Sequence, residues 1–457
     1  MTSRLVPFAS LNDDDGMSDS KNHLMPFTAR PKCHTTNACV LIRNTDRHCA
    51  VRAYNLKDDH LAVVFYFKPS AIPSKSPLQT KVIGSFISST IGDLSLLFIS
   101  IRFLLLLFFR SNGVYDHPLS TPFLLLNVAN MVASFYGLYE SIESRRIFIQ
   151  ALEKQGIPSD APSVFSKSFW TRYTNPFWIG LDVQTHLCYA TERELAEVPK
   201  KDRHMLTLDV ITPSSCSSNS RRPVFVFVHG GAWYMGSKRN PYPLLRSIAQ
   251  EGWIVVSVDY RLAPTYPYPS SVVDVKRAIR WVKKNIGEYG GDASFVTVGG
   301  DSAGGHIAAM VALSSNRPEY QPNFEDVDTS VKACVAINAV LRLSIQQFGA
   351  WFAEFISGRE KGEDHTKFLL EHSPVHHVHK DSVPFLVFHG EADVIVDILT
   401  AENFVVKYKQ ANPNKITFIR LKRGTHIYHA FSCPRTHYQA FTMERWLQNI
   451  RKLNADS

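Results

Sequence analysis

Gly299-Gly300-Asp301-Ser302-Ala303-Gly304 is the stretch of sequence that decides the fold. It follows an apolar, β-like run and precedes a helix-like run that extends to residue 313. In a G-x-S-x-G turn between a strand and a helix, small neighbours allow the serine a strained backbone, and its Oγ stands clear of the sheet. Ser302 is therefore a candidate nucleophile, although glycine and serine also form ordinary loops.

A second glycine-rich turn lies upstream, at residues 229–233 (His-Gly-Gly-Ala-Trp). It follows a run of five apolar residues that predicts a buried parallel strand. Consecutive small residues let backbone N–H groups point into a cavity, as in an H-G-G-x oxyanion loop. We predict that Gly231 and Ala232 supply two N–H donors and Ala303 a third, with Gly230 as the alternative if the register differs by one residue.

A nucleophilic serine needs a base, and the base needs an orienting acid. After a serine elbow of this kind, the acid and then the histidine follow in chain order, each on a loop after a strand. The apolar run at residues 385–388 leads into a loop that carries Asp393, which we predict to be the acid. Glu391 and Asp397 on the same loop are its rivals.

Two histidines follow the last apolar run, residues 416–421, and only one can be the base. His426 comes directly after the strand and a glycine, whereas His429 is followed by Ala-Phe and mimics an H-x-F ending. The position after the strand favours His426, and His429 remains the alternative.

Five motifs in chain order give the sequence a resemblance to a known family: His229–Trp233, Asp259–Pro264, Glu288–Asp292, Gly300–His306 and His389–Asp393. Together they resemble α/β-hydrolases of the esterase/lipase type, specifically the hormone-sensitive-lipase-like and BD-FAE-like carboxylesterases. The resemblance covers roughly residues 200 to 455. Gln321–Ser330 and Cys433–His437 resemble a membrane-linked branch of that group.

This resemblance implies hydrolysis of a carboxylic ester without a cofactor or a metal. Matching through Pro434–His437 places the family's base on His426. The family often has His-x-Phe at the base, whereas Ile427 and Tyr428 follow His426 here, which keeps His429 open. The Asp-Tyr-Arg segment at residues 259–261 implies a scaffold role.

The expected fold class is α/β, with a mostly parallel sheet flanked by helices, because strand and helix patterns alternate along the chain. Strands are predicted near residues 206–211, 224–228, 254–259, 295–299, 331–337, 384–388 and 416–421. Helices are predicted near residues 241–251, 272–286, 304–315, 398–411 and 436–452. An aromatic-rich insert from residue 346 to 379 is predicted to act as a cap that shapes the acyl pocket.

Charge and cysteine content argue against nucleic-acid binding, a disulfide framework and a zinc site in this chain. The net charge is +9, but the basic residues are scattered and form no Arg-rich stripe, so we expect no nucleic-acid binding. Seven widely spaced cysteines argue against a disulfide framework. The loose cluster Cys33, His34, Cys39, His48 and Cys49 lacks the tight pairs of a zinc site.

Apolar residues concentrate before the hydrolase-like part, at residues 94–109 and 119–139. About 20 apolar residues cross a bilayer as a helix, so residues 119–139, which carry no charge, predict a membrane span. Residues 94–109 are shorter and contain Arg102, which is compatible with a second span, an interfacial helix or a packed helix. A helical cap packed on the hydrolase remains an alternative to membrane contact.

We therefore predict four regions: an unassigned polar region at 1–80, a membrane anchor at 81–142, a linker and cap-like region at 143–199, and the catalytic domain at 200–457. If both apolar segments cross the membrane, they form a hairpin through residues 110–118 with the basic residues clustered outside it, whereas a single span leaves a catalytic domain in the lumen of the endoplasmic reticulum as the alternative. The hairpin predicts a catalytic domain on the cytosolic face of the endoplasmic reticulum or another intracellular membrane. The chain lacks an N-x-S/T sequon, which agrees with that face.

Two other functions use the same sequence features. The predicted apparatus also suits an arylformamidase or an amide deacetylase. A member of another functional class, a catalytically inactive and membrane-tethered binding module, would keep the fold without the chemistry.

Overall fold

The computed structural model describes residues 52–56, 60–64, 94–117, 120–167, 169, 180–240, 242–344, 350–361 and 364–456. The cysteine–histidine cluster predicted not to bind metal, at residues 33–49, lies outside the described residues. In the region left unassigned from the sequence, the described part is one antiparallel pair, β1 (Arg52–Leu56) and β2 (His60–Val64).

An eight-stranded sheet forms the centre of the protein. Its strands are β3 (Leu181–Cys188), β4 (Thr207–Pro213), β5 (Arg222–Val228), β6 (Ile254–Val258), β7 (Gly291–Asp301), β8 (Cys334–Ile337), β9 (Phe385–Gly390) and β10 (Ile416–Leu421). They lie in the order β10-β9-β8-β7-β5-β6-β4-β3. β4 runs antiparallel to β3 and β6, and the other neighbouring pairs are parallel. The predicted fold class is confirmed.

Helices cover this sheet and precede it in the chain. They are α1 (Ser95–Ser111), α2 (Ser120–Glu153), α3 (Glu192–Ala196), α4 (Pro243–Gln250), α5 (Ser270–Asn285), α6 (Ser302–Leu313), α7 (Thr366–Glu371), α8 (Leu399–Ala411) and α9 (Pro434–Ala455). The sequence analysis missed β3, α3 and α7, which are an edge strand with five exposed residues in a row and two helices of one to two turns.

Alternating side chains of β5 explain why both faces of the sheet are covered. Val224, Val226 and Val228 belong to one apolar cluster, which includes side chains of α5 and α6. Phe225 and Phe227 belong to a second cluster, which includes side chains of α4 and α9. Because neighbouring side chains on a strand point to opposite faces, an uninterrupted apolar strand needs a helical layer on each side.

The two apolar segments before the domain form helices α1 and α2. Residue 119, the predicted start of the longer span, lies outside the described residues. Among the described helices, α2 is long and apolar enough to cross a membrane. Arg102 on α1 donates a hydrogen bond from Nη1 to Oδ1 of Asn127 on α2, at 3.3 Å, which gives the charged side chain a partner within the hairpin.

Helix α2 continues beyond Tyr139, where the sequence predicted the apolar span to end, and crosses the predicted region boundary at residue 142. β3 lies within the segment predicted to be a linker and cap, and it forms the edge of the central sheet. The last four turns of α2 thus pack with the domain that follows. In their contact with the sheet, the rings of Phe148 and Phe388 lie 6.0 Å apart.

Replacing Phe148 with alanine should destabilise the docking of α2 on the domain. Phe148 is 1% exposed, and a buried Phe-to-Ala change costs about 3–5 kcal/mol of unfolding free energy. Phe135→Ala is the matched control, because Phe135 lies on the same helix and is 53% exposed. Denaturant unfolding of the detergent-solubilised variants measures the unfolding free energy of each. Equal stability losses in the two variants would contradict this packing.

Candidate active site

Ser302 lies at the junction of β7 and α6, where the sequence predicted it. Asp301 ends the strand, and Ser302 begins the helix with a φ of 52°. A left-handed conformation is costly for a residue with a side chain, and such strain concentrates at functional turns. The turn places the hydroxyl of Ser302 at the carboxyl edge of the sheet, where the loops after β5, β9 and β10 also lie.

The structure brings Ser302, His426 and Asp393 together in one hydrogen-bonded chain. Nε2 of His426 lies 2.9 Å from Oγ of Ser302, and Nδ1 lies 2.7 Å from Oδ2 of Asp393. Because an ionised carboxylate only accepts hydrogen bonds, Nδ1 carries the proton in the neutral ring. Nε2 is then free to accept the hydroxyl proton of Ser302.

Asp393 is held in place by its own loop. Its Oδ1 accepts the N–H groups of Ile395 and Val396, at 2.9 and 2.8 Å. Its Oδ2 also lies 3.4 Å from Nε2 of His389, a second buried histidine. Burial works against the charged form of Asp393, but His426 and the hydrogen bonds outweigh it and lower its pKa below the ordinary value.

The pKa of His426 shifts in the opposite direction. Burial disfavours the imidazolium form of His426, but the carboxylate of Asp393 outweighs burial and raises the pKa of His426 above its ordinary value. Asp301 acts in the same direction. The pair is therefore arranged to stabilise the charged imidazole that forms when it accepts a proton.

The alternative acids have other partners. Glu391 is exposed and forms an ion pair with Arg420, with 3.3 Å between Oε1 and Nε. Asp397 is exposed and accepts the N–H of Leu399 at the start of α8. Among the described residues, neither forms a hydrogen bond or an ion pair with His426.

His429, the alternative base, lies in a separate buried contact. Its Nε2 is 3.2 Å from Oδ2 of Asp301, and its ring stacks on Tyr242 with an angle of 6° between the planes. The structure therefore places His426, and not His429, beside the hydroxyl of Ser302. Burial alone would raise the pKa of Asp301, but contact with His429 and the other hydrogen bonds lower it.

The predicted oxyanion loop is folded back on itself after β5. Ala232 and Trp233 take positive φ values of 51° and 63°. Gly230 donates its N–H to Oδ1 of Asp301 at 2.8 Å, so this donor is already occupied. Within the described residues, the N–H groups of Gly231 and Ala232 donate to no backbone carbonyl.

A network of buried side chains supports this loop from behind. His229 stacks on Tyr260, with 4.5 Å between the ring centres, and the Tyr260 hydroxyl donates to the carbonyl of His229 at 2.9 Å. Asp259 pairs with Lys238 at 2.8 Å. Arg261 forms two hydrogen bonds to Asp274 through its guanidinium group, both 2.8 Å long. These contacts agree with the scaffold role that the resemblance implied for residues 259–261.

Trp233 and His306 connect the loop to the insert. Nε1 of Trp233 donates to Nδ1 of His306 at 3.2 Å, and Nε2 of His306 donates to the carbonyl of His372 at 2.9 Å. Burial lowers the pKa of His306 to about 3, so the ring is neutral. The Trp233 ring packs on Phe352 of the insert. Residues 346–349, 362 and 363 of the insert lie outside the described residues.

Asn338 is a site residue that the sequence analysis missed. It follows β8, it is buried, and its Nδ2 donates to the carbonyls of Thr425 and His426 at 3.1 and 2.6 Å. Its Oδ1 accepts the N–H of Gly390 at 2.9 Å. One side chain thus connects the loop of Asp393 to the loop of His426. A polar residue directly after an apolar strand was the signal that could have found it.

No group of three or more His, Cys, Asp or Glu side chains that could hold a metal ion occurs in the part of the chain that the structure describes. The histidine-rich run at residues 372–379 belongs to that part. His372 and His377 are involved in hydrogen bonds with the protein itself.

Residues 208–408 match the BD-FAE family model. The probable carboxylic ester hydrolase LipM of Mycobacterium tuberculosis is 33% identical over 249 residues, which cover 53% of this chain and 58% of the relative. Esterase LipQ of the same organism is 36% identical over 226 residues, or 48% of this chain and 54% of the relative. The chain thus spans less than two thirds of the length of these relatives.

A solved structure supports the fold. Esterase B from Lactobacillus rhamnosis is 19% identical and superposes with a TM-score of 0.51, covering 68% of this chain and 98% of the esterase. In strand order and in the serine turn after β7, this domain has the α/β-hydrolase fold, and its sequence over residues 208–408 is similar to the BD-FAE family.

Proposed function

We propose that this protein is a serine hydrolase of carboxylic esters. The observation that carries the proposal is the chain of hydrogen bonds from Ser302 through His426 to Asp393, with distances of 2.9 and 2.7 Å. A partly buried serine–imidazole–carboxylate chain with these distances is the arrangement that activates a hydroxyl as a nucleophile. The names of the relatives, a carboxylic ester hydrolase and an esterase, support the same class.

In the proposed reaction, His426 accepts the proton of Ser302 while Oγ attacks the ester carbonyl. The N–H groups of Gly231, Ala232 and Ala303 stabilise the oxyanion of the tetrahedral intermediate. The C–O bond to the alcohol breaks, and His426 donates its proton to the departing oxygen. Water then attacks the acyl-enzyme with His426 as base, which releases the carboxylic acid and restores Ser302.

The acyl group is proposed to be apolar. Aromatic side chains join the oxyanion loop to the insert: the ring of Tyr234 lies 6.0 Å from Trp351 and 5.9 Å from Phe355. An arylformamide or an acetylated amide is the second candidate substrate, because the same triad and donors serve amide carbonyls. The inactive binding module is less well supported, since nucleophile, base and acid are all present and in contact.

We also propose that residues 94–139 attach the protein to a membrane, with the catalytic domain on the cytosolic side of an intracellular membrane such as the endoplasmic reticulum. Large apolar side chains are exposed on both helices of the hairpin, including Phe103, Leu104, Leu125 and Leu126, which are 50–64% exposed. A contiguous exposed apolar surface of this kind marks an interaction site, and lipid would cover it.

Ser302→Ala and His426→Ala should each lower kcat for p-nitrophenyl butyrate by about 10⁴-fold or more, because nucleophile and base act as one unit. His429→Gln, which keeps a polar side chain beside Asp301, should stay within about tenfold of the unchanged enzyme. Steady-state hydrolysis by the detergent-solubilised proteins gives kcat for all three variants. A loss in His429→Gln that equals the loss in Ser302→Ala would make His429 the base.

The pH profile should report the pKa of His426. Only the neutral ring accepts the proton of Ser302, so kcat/KM should fall as the pH drops through a pKa above the ordinary value of about 6.5. Asp393→Asn removes the carboxylate that raises this pKa, so the acid limb should move to lower pH while the rate drops. Asp397→Asn is the matched control. An acid limb that stays unchanged in Asp393→Asn would contradict the assignment of the acid.

Gly231→Ala should disrupt the conformation of the oxyanion loop. Gly231 has a φ of 135°, and an added Cβ would lie 2.0 Å from the carbonyl oxygen of Met235. We expect kcat to fall by about 10²-fold or more, the loss typical of one oxyanion donor. Gly287→Ala is the control, because its Cβ would contact nothing within 4 Å. Wild-type kcat in Gly231→Ala would exclude this loop from the site.

A further inference from the structure

The second half of helix α2 packs on the domain, whereas the large apolar side chains of its first half are exposed. From residue 137 onward, one face of the helix is buried: Gly137, Ser141, Ser144, Phe148 and Leu152. Before residue 136, large apolar side chains point away from the protein and are 42–64% exposed: Phe123, Leu125, Leu126, Val128, Val132 and Phe135. The buried face repeats every three to four residues, as expected for one side of a helix.

The contacts of the docked part give the direction of α2 relative to the sheet. Phe148 lies against Phe388, within β9. Ser141 accepts the N–H of Arg435 at 3.1 Å, at the start of α9, which follows the loop that carries His426. Residues nearer the start of α2 therefore lie closer to the carboxyl ends of the strands.

Arg423 makes a further contact between α2 and the domain. It lies two residues beyond the end of β10, and its guanidinium group contacts the Tyr136 hydroxyl and lies 3.5 Å from Glu140. The guanidinium carbon also lies over the Tyr136 ring, 4.9 Å from its centre. Tyr136 is thus level with the edge of the sheet at which His426 lies.

The part of α2 that precedes Tyr136 must then extend beyond that edge. Residues 120–135 form a continuous helix, and at 1.5 Å per residue they cover about 24 Å. Ser302, Asp393 and His426 follow β7, β9 and β10, so they lie at this same edge. The apolar hairpin and the active site consequently lie at the same edge of the sheet, the one formed by the carboxyl ends of the strands.

Three further exposed apolar side chains lie at this edge. Met235 on the oxyanion loop is 49% exposed, Phe355 on the insert is 41% exposed, and Leu399 at the start of α8 is 56% exposed. Each belongs to a segment that follows the carboxyl end of a strand or packs on such a segment. These side chains would contact the surface of a bilayer into which the hairpin is inserted.

We infer that the active site opens toward the membrane in which the hairpin is inserted, and that the substrate is an ester dissolved in that bilayer. The inference rests on the proposed ester hydrolysis for its chemistry. The apolar acyl chain passes from the lipid to Ser302 without crossing water, and the products are the free carboxylic acid and the alcohol. Because the docked half of α2 is held by Arg423 and Phe148, the helix determines the orientation of the domain as well as its attachment.

Lipid cross-linking tests the orientation without relying on activity. The full chain is reconstituted in phosphatidylcholine vesicles that contain a lipid with a diazirine on its acyl chain, and adducts are located by mass spectrometry. We expect adducts on α1, on the first half of α2, and on residues 233–235 and 351–356. Residues 214–221 precede β5 at the opposite edge of the sheet, and they should remain unlabelled.

Labelling of residues 214–221, or of the hairpin alone, would overturn the inference. The first pattern would mean that the opposite edge faces the bilayer, and the second that the domain stands away from it. An inactive protein still yields these patterns, so failure of the proposed function is distinguished from failure of the orientation.

Enzyme kinetics test the substrate class. A flexible Gly-Ser linker of about six residues, inserted between Phe135 and Tyr136, keeps the hairpin and the docked half of α2 but frees the domain to rotate. Hydrolysis of a long-chain ester embedded in vesicles should fall by at least ~5-fold, because positioning is lost. Hydrolysis of soluble p-nitrophenyl butyrate should change by less than about twofold.

Unchanged hydrolysis of the embedded ester by the linker variant would overturn the inference, as would a full-length protein that cleaves only the soluble ester. If the linker variant cleaves neither ester, the insertion has damaged the domain, and the cross-linking pattern of the full chain decides. A full-length protein that cleaves no ester in either form would overturn the proposed function instead.

Discussion

The parallel arrangement of β5, β7, β8, β9 and β10 is the constraint on which the rest of the structure depends. Parallel strands bring all their carboxyl ends to one edge, so five loops that are far apart in the chain must share one space. Ser302 lies at the turn after β7, Asp393 and His426 lie on the loops after β9 and β10, and Asn338 follows β8. The amide of Asn338 connects the loops of Asp393 and His426. The distances within the site therefore follow from the register of the sheet.

Buried charges keep these loops in position. Asp301 directly precedes Ser302, and it accepts the N–H of Gly230 on the loop after β5 and contacts His429 on the loop after β10. A buried carboxylate without partners would be strongly destabilising, so its position is determined by the groups that surround it. The same reasoning applies to Asp259 with Lys238. These pairs orient the loops, while Ser302 and His426 remain in contact with each other.

Helix α2 joins two environments within one element. Its second half buries Phe148 and Leu152 in the core of the domain, and its first half exposes apolar side chains that the protein does not cover. A continuous helix transmits orientation over its whole length, since its backbone hydrogen bonds allow little bending. Attachment of the first half to a bilayer would therefore also set the direction of the carboxyl edge of the sheet.

The sequence by itself determined the strand and helix alternation, the serine turn and the candidates for acid and base, because hydrophobic periodicity and small-residue turns are local properties. It left His426 and His429 open, since both follow the same strand and only the packing of Asp301 and Tyr242 separates them. It missed Asn338, whose partners lie 52 to 88 residues away. The direction of α2 was also decided only by tertiary contacts, because no local pattern records what a helix packs against.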